Sequence, residues 1–512
     1  MDNNINSYGL DLSFSNLEAS NGNEPNYTLL AKKWKMLSLI GNAEATCYLA
    51  NLYMIGKGAE VDRHKAFLLY RKAAEKGNVQ AMYNCYKCYL HGLGCDKNKQ
   101  SADIFLRQAA LKEHVTAMLN LGMIYYKGEG VSMDKQKTFE WWKKAAEKGN
   151  ATAMYNLGVM YYNGEGVPMN KQEAFEWWKK AAEKGNAIAM YQLGMMYLNG
   201  NGVPMDKQKA FEWYQKAAKK GHLEAMYKLG WMYDLGEGIP VDYQKALEWY
   251  QKAANEGHSE SMYCVGRMYA LGEGIPIDYQ KAFEWCQKAA DKRNAKAMYN
   301  LGIMYYYGEG VPTDKQKAFE WLQKAAEKGD IGAMYDLGIM YYYGESVSMD
   351  KQKAFAWYQK AAEKGDAGAT LKLALMYQEG YGRSENGKTF ESLIKEAYRL
   401  AKLHLDNSIN IYDLDVAIKC LVAKTNLCDY KQAAELCKHR LAISEDSRIR
   451  SIYNSLMTDE GTLRPAADLN KVFEQKAREI NLKNKVVNDY LDGISIQDVI
   501  DQTASKSDNY MI

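Results

Sequence analysis

Residues 149–184 read GNATAMYNLGVMYYNGEGVPMNKQEAFEWWKKAAEK, and this 36-residue stretch returns along the chain with small changes. Its opening, Gly149-Asn150-Ala151-Thr152-Ala153-Met154-Tyr155, has counterparts beginning at Gly185, Gly221, Gly257, Gly329 and Gly365, and upstream at Gly77 and Gly41. Glu113 and Arg293 keep the same register without the glycine. Ten starts at one constant offset, with no insertion or deletion from 41 to 365, require units of one size stacked in one way.

Within the unit, Ala153, Met154, Leu157, Met160 and Tyr161 recur at helical spacing, which predicts an amphipathic helix, helix A. Gly164-Glu165-Gly166-Val167-Pro168 breaks it. Asn170 then stands as the N-cap of a second helix, with Asp134, Asp206, Asp242, Asp278, Asp314 and Asp350 in register. This helix B is expected from Lys171 to Lys184, with Ala174, Trp177, Trp178, Ala181 and Ala182 as its apolar members, and Gly185 ends it as a left-handed cap. A glycine also recurs in mid-helix A, at Gly122, Gly158, Gly194, Gly230, Gly266, Gly302 and Gly338. Each costs roughly 1 kcal/mol against alanine. Close approach of helix B at that turn explains the repeated cost, with a ring from Trp177 or Tyr161 filling the space beside it.

Residues Ala153, Leu157, Gly158, Tyr161, Gly164, Gly166, Val167, Ala174, Trp177, Ala181 and Ala182 carry a pattern that resembles the Sel1-like repeat, a relative of the tetratricopeptide repeat, over about residues 41–400. Tyr86 departs from it in mid-helix A, and Ser346 replaces a loop glycine. The resemblance implies an all-α, right-handed α/α superhelical solenoid of about ten helix-turn-helix units, with a helical C-terminal extension and helix A lining the concave face. The chain would then divide into a disordered polar N-terminus (1–28), a capping helix with Trp34 (29–40), ten repeats (41–404), and degenerate hairpins with a helical tail (405–512). In the last part, Asp413 to Lys424 and Asp429 to Glu435 read as A-like and B-like helices, and Ser495-Ile496-Gln497-Asp498 as a capping box.

Composition excludes several classes. Sixty-six basic against 63 acidic residues leave a net charge of +3 spread along the chain, without the basic footprint of a nucleic-acid binder. No apolar stretch approaches the roughly 18 residues of a membrane span. The polar start lacks the pattern of a signal peptide. Nine irregularly spaced cysteines argue for a reducing compartment, so a cytoplasmic location, or delivery to a host cytosol, is expected.

Two kinds of site come into view. Cys85-x2-Cys88-x2-His91-x3-Cys95 has metal-like spacing. Its cysteines, however, fall on the unit's hydrophobic positions, which favours buried apolar cysteines and no metal. The G-x-G loops lack the Lys-Ser/Thr of a nucleotide loop, the seven histidines form no cluster, and no catalytic set or cofactor is expected. The second candidate is the stripe of helix A opposite its core, at positions 3, 7, 10 and 14 after each start. Position 7 gives a polar ladder, Asn120, Asn156, Gln192, Lys228, Asn300 and Asp336, whose amides can pair with an extended backbone. Position 10 gives Met123, Val159, Met195, Trp231, Ile303 and Ile339, and position 14 contributes Tyr307 and Tyr343. These residues fit either a groove that binds a partner or packing between adjacent A helices. The resemblance implies a non-enzymatic scaffold or adaptor for a protein or peptide, such as the host-directed effectors of intracellular microbes. A structural or self-assembling element, or an enzyme in the C-terminal region, are the alternatives; homo-oligomerisation is left open.

Overall fold

A computed structural model of the chain describes residues 26–381, 390–407, 411–422 and 430–443, together with residue 453. Its described residues form twenty-three α-helices and no strand, in two compact units, Met1–Val241 and Asp242–Ile512. Unit 1 holds α1 (Tyr27–Leu39), α2 (Ala43–Ile55), α3 (Arg63–Glu75), α4 (Val79–His91), α5 (Lys99–Leu111) and α6 (Val115–Lys127). It continues with α7 (Lys135–Glu147), α8 (Ala151–Asn163), α9 (Lys171–Glu183), α10 (Ala187–Asn199), α11 (Lys207–Lys219) and α12 (Leu223–Leu235). Unit 2 holds α13 (Tyr243–Asn255), α14 (Ser259–Leu271), α15 (Tyr279–Asp291), α16 (Ala295–Tyr307), α17 (Lys315–Glu327) and α18 (Ile331–Tyr343). It ends with α19 (Lys351–Glu363), α20 (Ala367–Gln378), α21 (Phe390–Asn407), α22 (Ile411–Val422) and α23 (Tyr430–Ile443). Even-numbered helices from α2 to α20 are the A helices, and each packs on its sequence neighbours within its unit.

Local chemistry sets the helix ends. Asn150 Oδ1 accepts from the Ala153 N–H at 2.8 Å and caps α8; Gly164 ends it in the left-handed region at φ +73°. Asn170 caps α9 by accepting from the N–H groups of Gln172 and Glu173, both at 3.1 Å. Glu113 and Arg293, which replace the starting glycine, adopt the same left-handed conformation at φ +64° and +65°. Conformational strain of roughly 1–2 kcal/mol at each is outweighed by the packing that fixes the turn.

Inside each hairpin the sealed residues are the recurring ones: Ala153, Leu157, Met160, Ala174, Trp178, Ala181 and Ala182 are all buried. Burying a side chain such as Leu157 or Met160 contributes about 1.5–3 kcal/mol. The mid-helix glycine does mark a close approach, but the ring is neither Trp177 nor Tyr161. A Cβ built on Gly158 would lie 2.3 Å from Trp178, whose Nε1 donates to the Tyr155 carbonyl at 3.1 Å. One residue turns a helix by 100°, so Trp178 shares the inner face with Ala174 and Ala181 while Trp177 is rotated away. Trp177 is half-buried beneath Lys180, whose Nζ lies 4.3 Å from the ring centroid.

Tyr161 instead joins repeats. Phe139 of α7 meets it edge-on at 5.6 Å, and Phe175–Tyr197 and Phe211–Tyr233 repeat the contact at 5.6 and 5.4 Å. Loop glutamates do the same work from the other end: Lys135 Nζ reaches Glu165 Oε2 at 2.9 Å, and in unit 2 Lys351 reaches Glu379 at 3.0 Å. In these two places the acid docks on an earlier helix B, whereas Glu129 pairs with Lys127 and Glu273 with Arg267 of the helix A just before the loop.

At the front, α1 buries Trp34 against Ala45, Leu49 and Leu52, with the Tyr48 ring 5.1 Å away. At the back, α21, α22 and α23 pack in sequence, and Arg440 Nε donates to Asp415 Oδ1 at 2.9 Å in a buried pair. Residues 1–25 and the capping-box segment 495–498 lie outside the described residues.

Candidate partner-binding face

Within its unit each helix A packs on the helix B that follows it and on the helix B that precedes it, and side-chain bonds such as Asn120–Tyr83 tie it to the helix A before; the side left over is the candidate face. In unit 1 this side runs along α4, α6, α8, α10 and α12. The position-7 row begins with Asn84, fully buried, and continues with Asn120, Asn156, Gln192 and Lys228, all half-buried. Part of its hydrogen-bonding capacity is spent between repeats. Asn120 Nδ2 donates to the Tyr83 hydroxyl at 3.2 Å, and Gln192 bonds to Tyr155 one repeat back. Asn156 Nδ2 is buried and has no hydrogen-bond partner among the described residues.

The position-10 row of unit 1, Met123, Val159, Met195 and Trp231, is half-buried throughout. Lys228 Nζ lies 5.1 Å from the Trp231 ring centroid and 5.8 Å from that of Tyr227. Desolvation holds its ammonium below the usual lysine range, as it does for Lys87, which lies 5.4 Å from Tyr86 and 5.7 Å from Tyr83. Leu235, beside Trp231 at the helix end, is 56% exposed.

Unit 2 is more closed. Asn300 and Ile339 are 3% exposed, as are few predicted site residues, and Cys264 is also buried. Asn300 bonds to the buried Cys286 thiol, and so faces the hairpin interior more than the surface. Ile303, Tyr307, Asp336 and Tyr343 are half-buried. Burial raises the Asp336 carboxyl to about 7, against the opposing hydrogen bond from Tyr299 one repeat back, and Asp330 and Asp366 add to the rise. Tyr306 donates to Glu345 at 2.7 Å, and its ring meets Tyr307 edge-on at 5.1 Å.

Two features escaped the sequence reading. The residue after each starting glycine is the N-cap of helix A, and where it is histidine the ring nitrogen takes over the role. His222 Nδ1 accepts from the Ala225 N–H at 3.2 Å while its ring stacks on Tyr191 at 4.8 Å. The recurrence of Asn, His or Asp at that one register was the available signal. The other feature is a lysine over each outer tryptophan of helix B, from Lys144–Trp141 at 4.6 Å to Lys360–Trp357 at 4.1 Å. The i,i+3 spacing of Trp and Lys carried it.

Cys85 and Cys88 are fully buried in α4, and Cys95 and His91 are half-buried. Burial pushes both buried thiols far above the ordinary cysteine range. Among the described residues no group of three or more His, Cys, Asp or Glu could hold a metal ion. No described helix is long and apolar enough to cross a membrane.

Serial capped hairpins, each helix B packed on the helix A of the next repeat within its unit, define a helical-repeat protein. Family comparison makes this specific: the Sel1 repeat model matches ten times in succession, from 43–78 and 79–114 through 331–366 and 367–388. The chain belongs to the Sel1 repeat family. It is similar to the crystal structure of a Sel1 repeat protein from Oxalobacter formigenes, at 30% identity and a TM-score of 0.50, covering 62% of this chain and 94% of that one. A protective antigen of uropathogenic Escherichia coli strains, displaying an SLR fold, is 28% identical with a TM-score of 0.47, over 85% of this chain and 99% of its own. No curated protein matches the chain. Sel1-repeat proteins are generally protein–protein interaction scaffolds and are typically non-catalytic.

Proposed function

We propose that this protein is a non-enzymatic scaffold that binds a partner protein or extended peptide along the free side of its A helices. The observation that carries the reading is the Trp231 neighbourhood. A half-buried indole, a desolvated lysine beside it and a 56% exposed leucine share one helix face and take no part in the hairpin core. Aromatic and methionine side chains in such settings are typical anchors of a partner.

A second reading is favoured by the bonds Asn120–Tyr83 and Gln192–Tyr155, which make the polar ladder partly a device for registering one repeat on the next. The two readings separate by mutation. Proteins co-purified from the native cell with the full chain are compared with those retained by a folded M195E/W231A variant. A partner lost from the variant supports the face; an unchanged set of proteins removes it.

A further inference from the structure

Charge is distributed unevenly on the free side of unit 1. Positions 7, 10 and 14 of its five consecutive helices α4, α6, α8, α10 and α12 are Asn84, Lys87, His91; Asn120, Met123, Lys127; Asn156, Val159, Asn163; Gln192, Met195, Asn199; and Lys228, Trp231, Leu235. These three rows contain three lysines and no carboxylate; the position-3 row of the same side adds one acid, the exposed Glu224 of α12, which lies 3.6 Å from His222. Lys127 is paired with Glu129 at 3.4 Å, an exposed contact at the helix end. Lys87 and Lys228 form no ion pair with a described residue; they are half-buried against the rings of Tyr83, Tyr86, Tyr227 and Trp231. A lysine held under aromatic rings and away from bulk water, without a counter-ion, is a cation with unspent interaction energy. Between these two cations the rows hold five amides, Asn120, Asn156, Asn163, Gln192 and Asn199, and three apolar side chains, together with the paired Lys127.

We infer that unit 1 takes an extended acidic peptide segment, with one carboxylate at Lys87, another at Lys228, and its backbone across Asn120, Asn156 and Gln192. This rests on the proposed use of the A face and adds the chemistry of the partner. The two lysines stand four repeats apart. At about 10 Å per stacked helix pair the interval is roughly 40 Å. An extended strand covers it with about 12 residues at ~3.3 Å each. The acid row would meet the lysines and the alternate side chains would meet Met123, Val159 and Met195.

The test uses the full-length protein and three fluorescent pools of randomised 12-residue peptides, equal in apolar and amide content. One pool carries four Asp or Glu, one none, and one four Lys or Arg. Anisotropy at 0.1 M salt is expected to show the acidic pool binding at least ten-fold tighter than the basic pool. K87Q/K228Q, verified as folded by circular dichroism, should lose about ten-fold for the acidic pool and leave the neutral pool unchanged. Equal binding of acidic and basic pools, or acidic binding untouched in K87Q/K228Q, overturns the inference. If neutral-pool binding is still weakened by M195E/W231A in that case, the face survives and only its acid preference falls. Binding of every pool insensitive to both variants, or no binding by any pool, overturns the face as well.

Discussion

Gly158→Ala probes the close approach that recurs in the hairpins carrying a mid-helix glycine. A methyl group at 158 would sit 2.3 Å from both Cδ1 and Nε1 of Trp178 and 2.9 Å from Cε2. The indole cannot swing aside: it is 3% exposed, its N–H is held by the Tyr155 carbonyl at 3.1 Å, and the Tyr162 ring is 5.4 Å away. Helix propensity taken alone would favour alanine by about 1 kcal/mol. Against it stand overpacking, about 1–3 kcal/mol, and the weakening of the indole hydrogen bond, about 1 kcal/mol. The net expectation is a loss of about 1–3 kcal/mol, read by urea unfolding with far-UV circular dichroism. Hydrogen exchange should place the loss in α8 and α9, since repeat arrays open locally. Two controls sharpen the result. Gly149→Ala has nothing within 4 Å of the new methyl and tests only the left-handed backbone at φ +89°. In a W178A background the ring is gone, so Gly158→Ala should become neutral or stabilising, a coupling of about 2 kcal/mol. A G158A protein as stable as the wild type, or one equally damaged with and without Trp178, would refute the close-packing account.

Two further outcomes follow from buried titrating groups. Asp336 has its carboxyl raised to about 7, mainly by burial, so the folded protein binds its proton more tightly than the unfolded chain does. The sign is therefore that stability is fullest below about pH 4 at this site and is lost as pH rises to 7, the opposite of an ion-paired acid. D336N should abolish this dependence and stabilise unit 2 by on the order of 2 kcal/mol at pH 8 relative to pH 5; identical pH profiles for the two proteins would contradict it. His222 has its pKa lowered, chiefly by burial, with Glu224 opposing. As a cap it must be neutral, so its contribution is present above the ordinary histidine pKa and fades as pH falls below it. H222N, which restores the cap of neighbouring repeats, should reduce acid sensitivity of the α12 amides between pH 7 and 5. Exchange rates that respond equally in both proteins would show that the ring is not the cap.

Much of the molecule was legible from one stretch repeated ten times. Period 36 defines the unit, helical spacing of Ala153, Leu157 and Met160 defines helix A, and Asn170 with its aspartate counterparts defines where helix B begins. These are local or periodic signals, and chain neighbours alone enforce them. What a single helix presents to the next element depends on rotation about its axis, and here residues adjacent in sequence differ by 100°. Hence Trp178 rather than Trp177 fills the space beside Gly158, and Tyr161 belongs to the contact with Phe139 of the preceding repeat. The variable stripe shows the same limit. Its positions were visible by period, yet Asn300 and Ile339 are sealed while Asn156 and Trp231 keep accessible surface. Periodicity determined which residues vary together; only the stacking of one hairpin on another decided which of them water, or a partner, can reach.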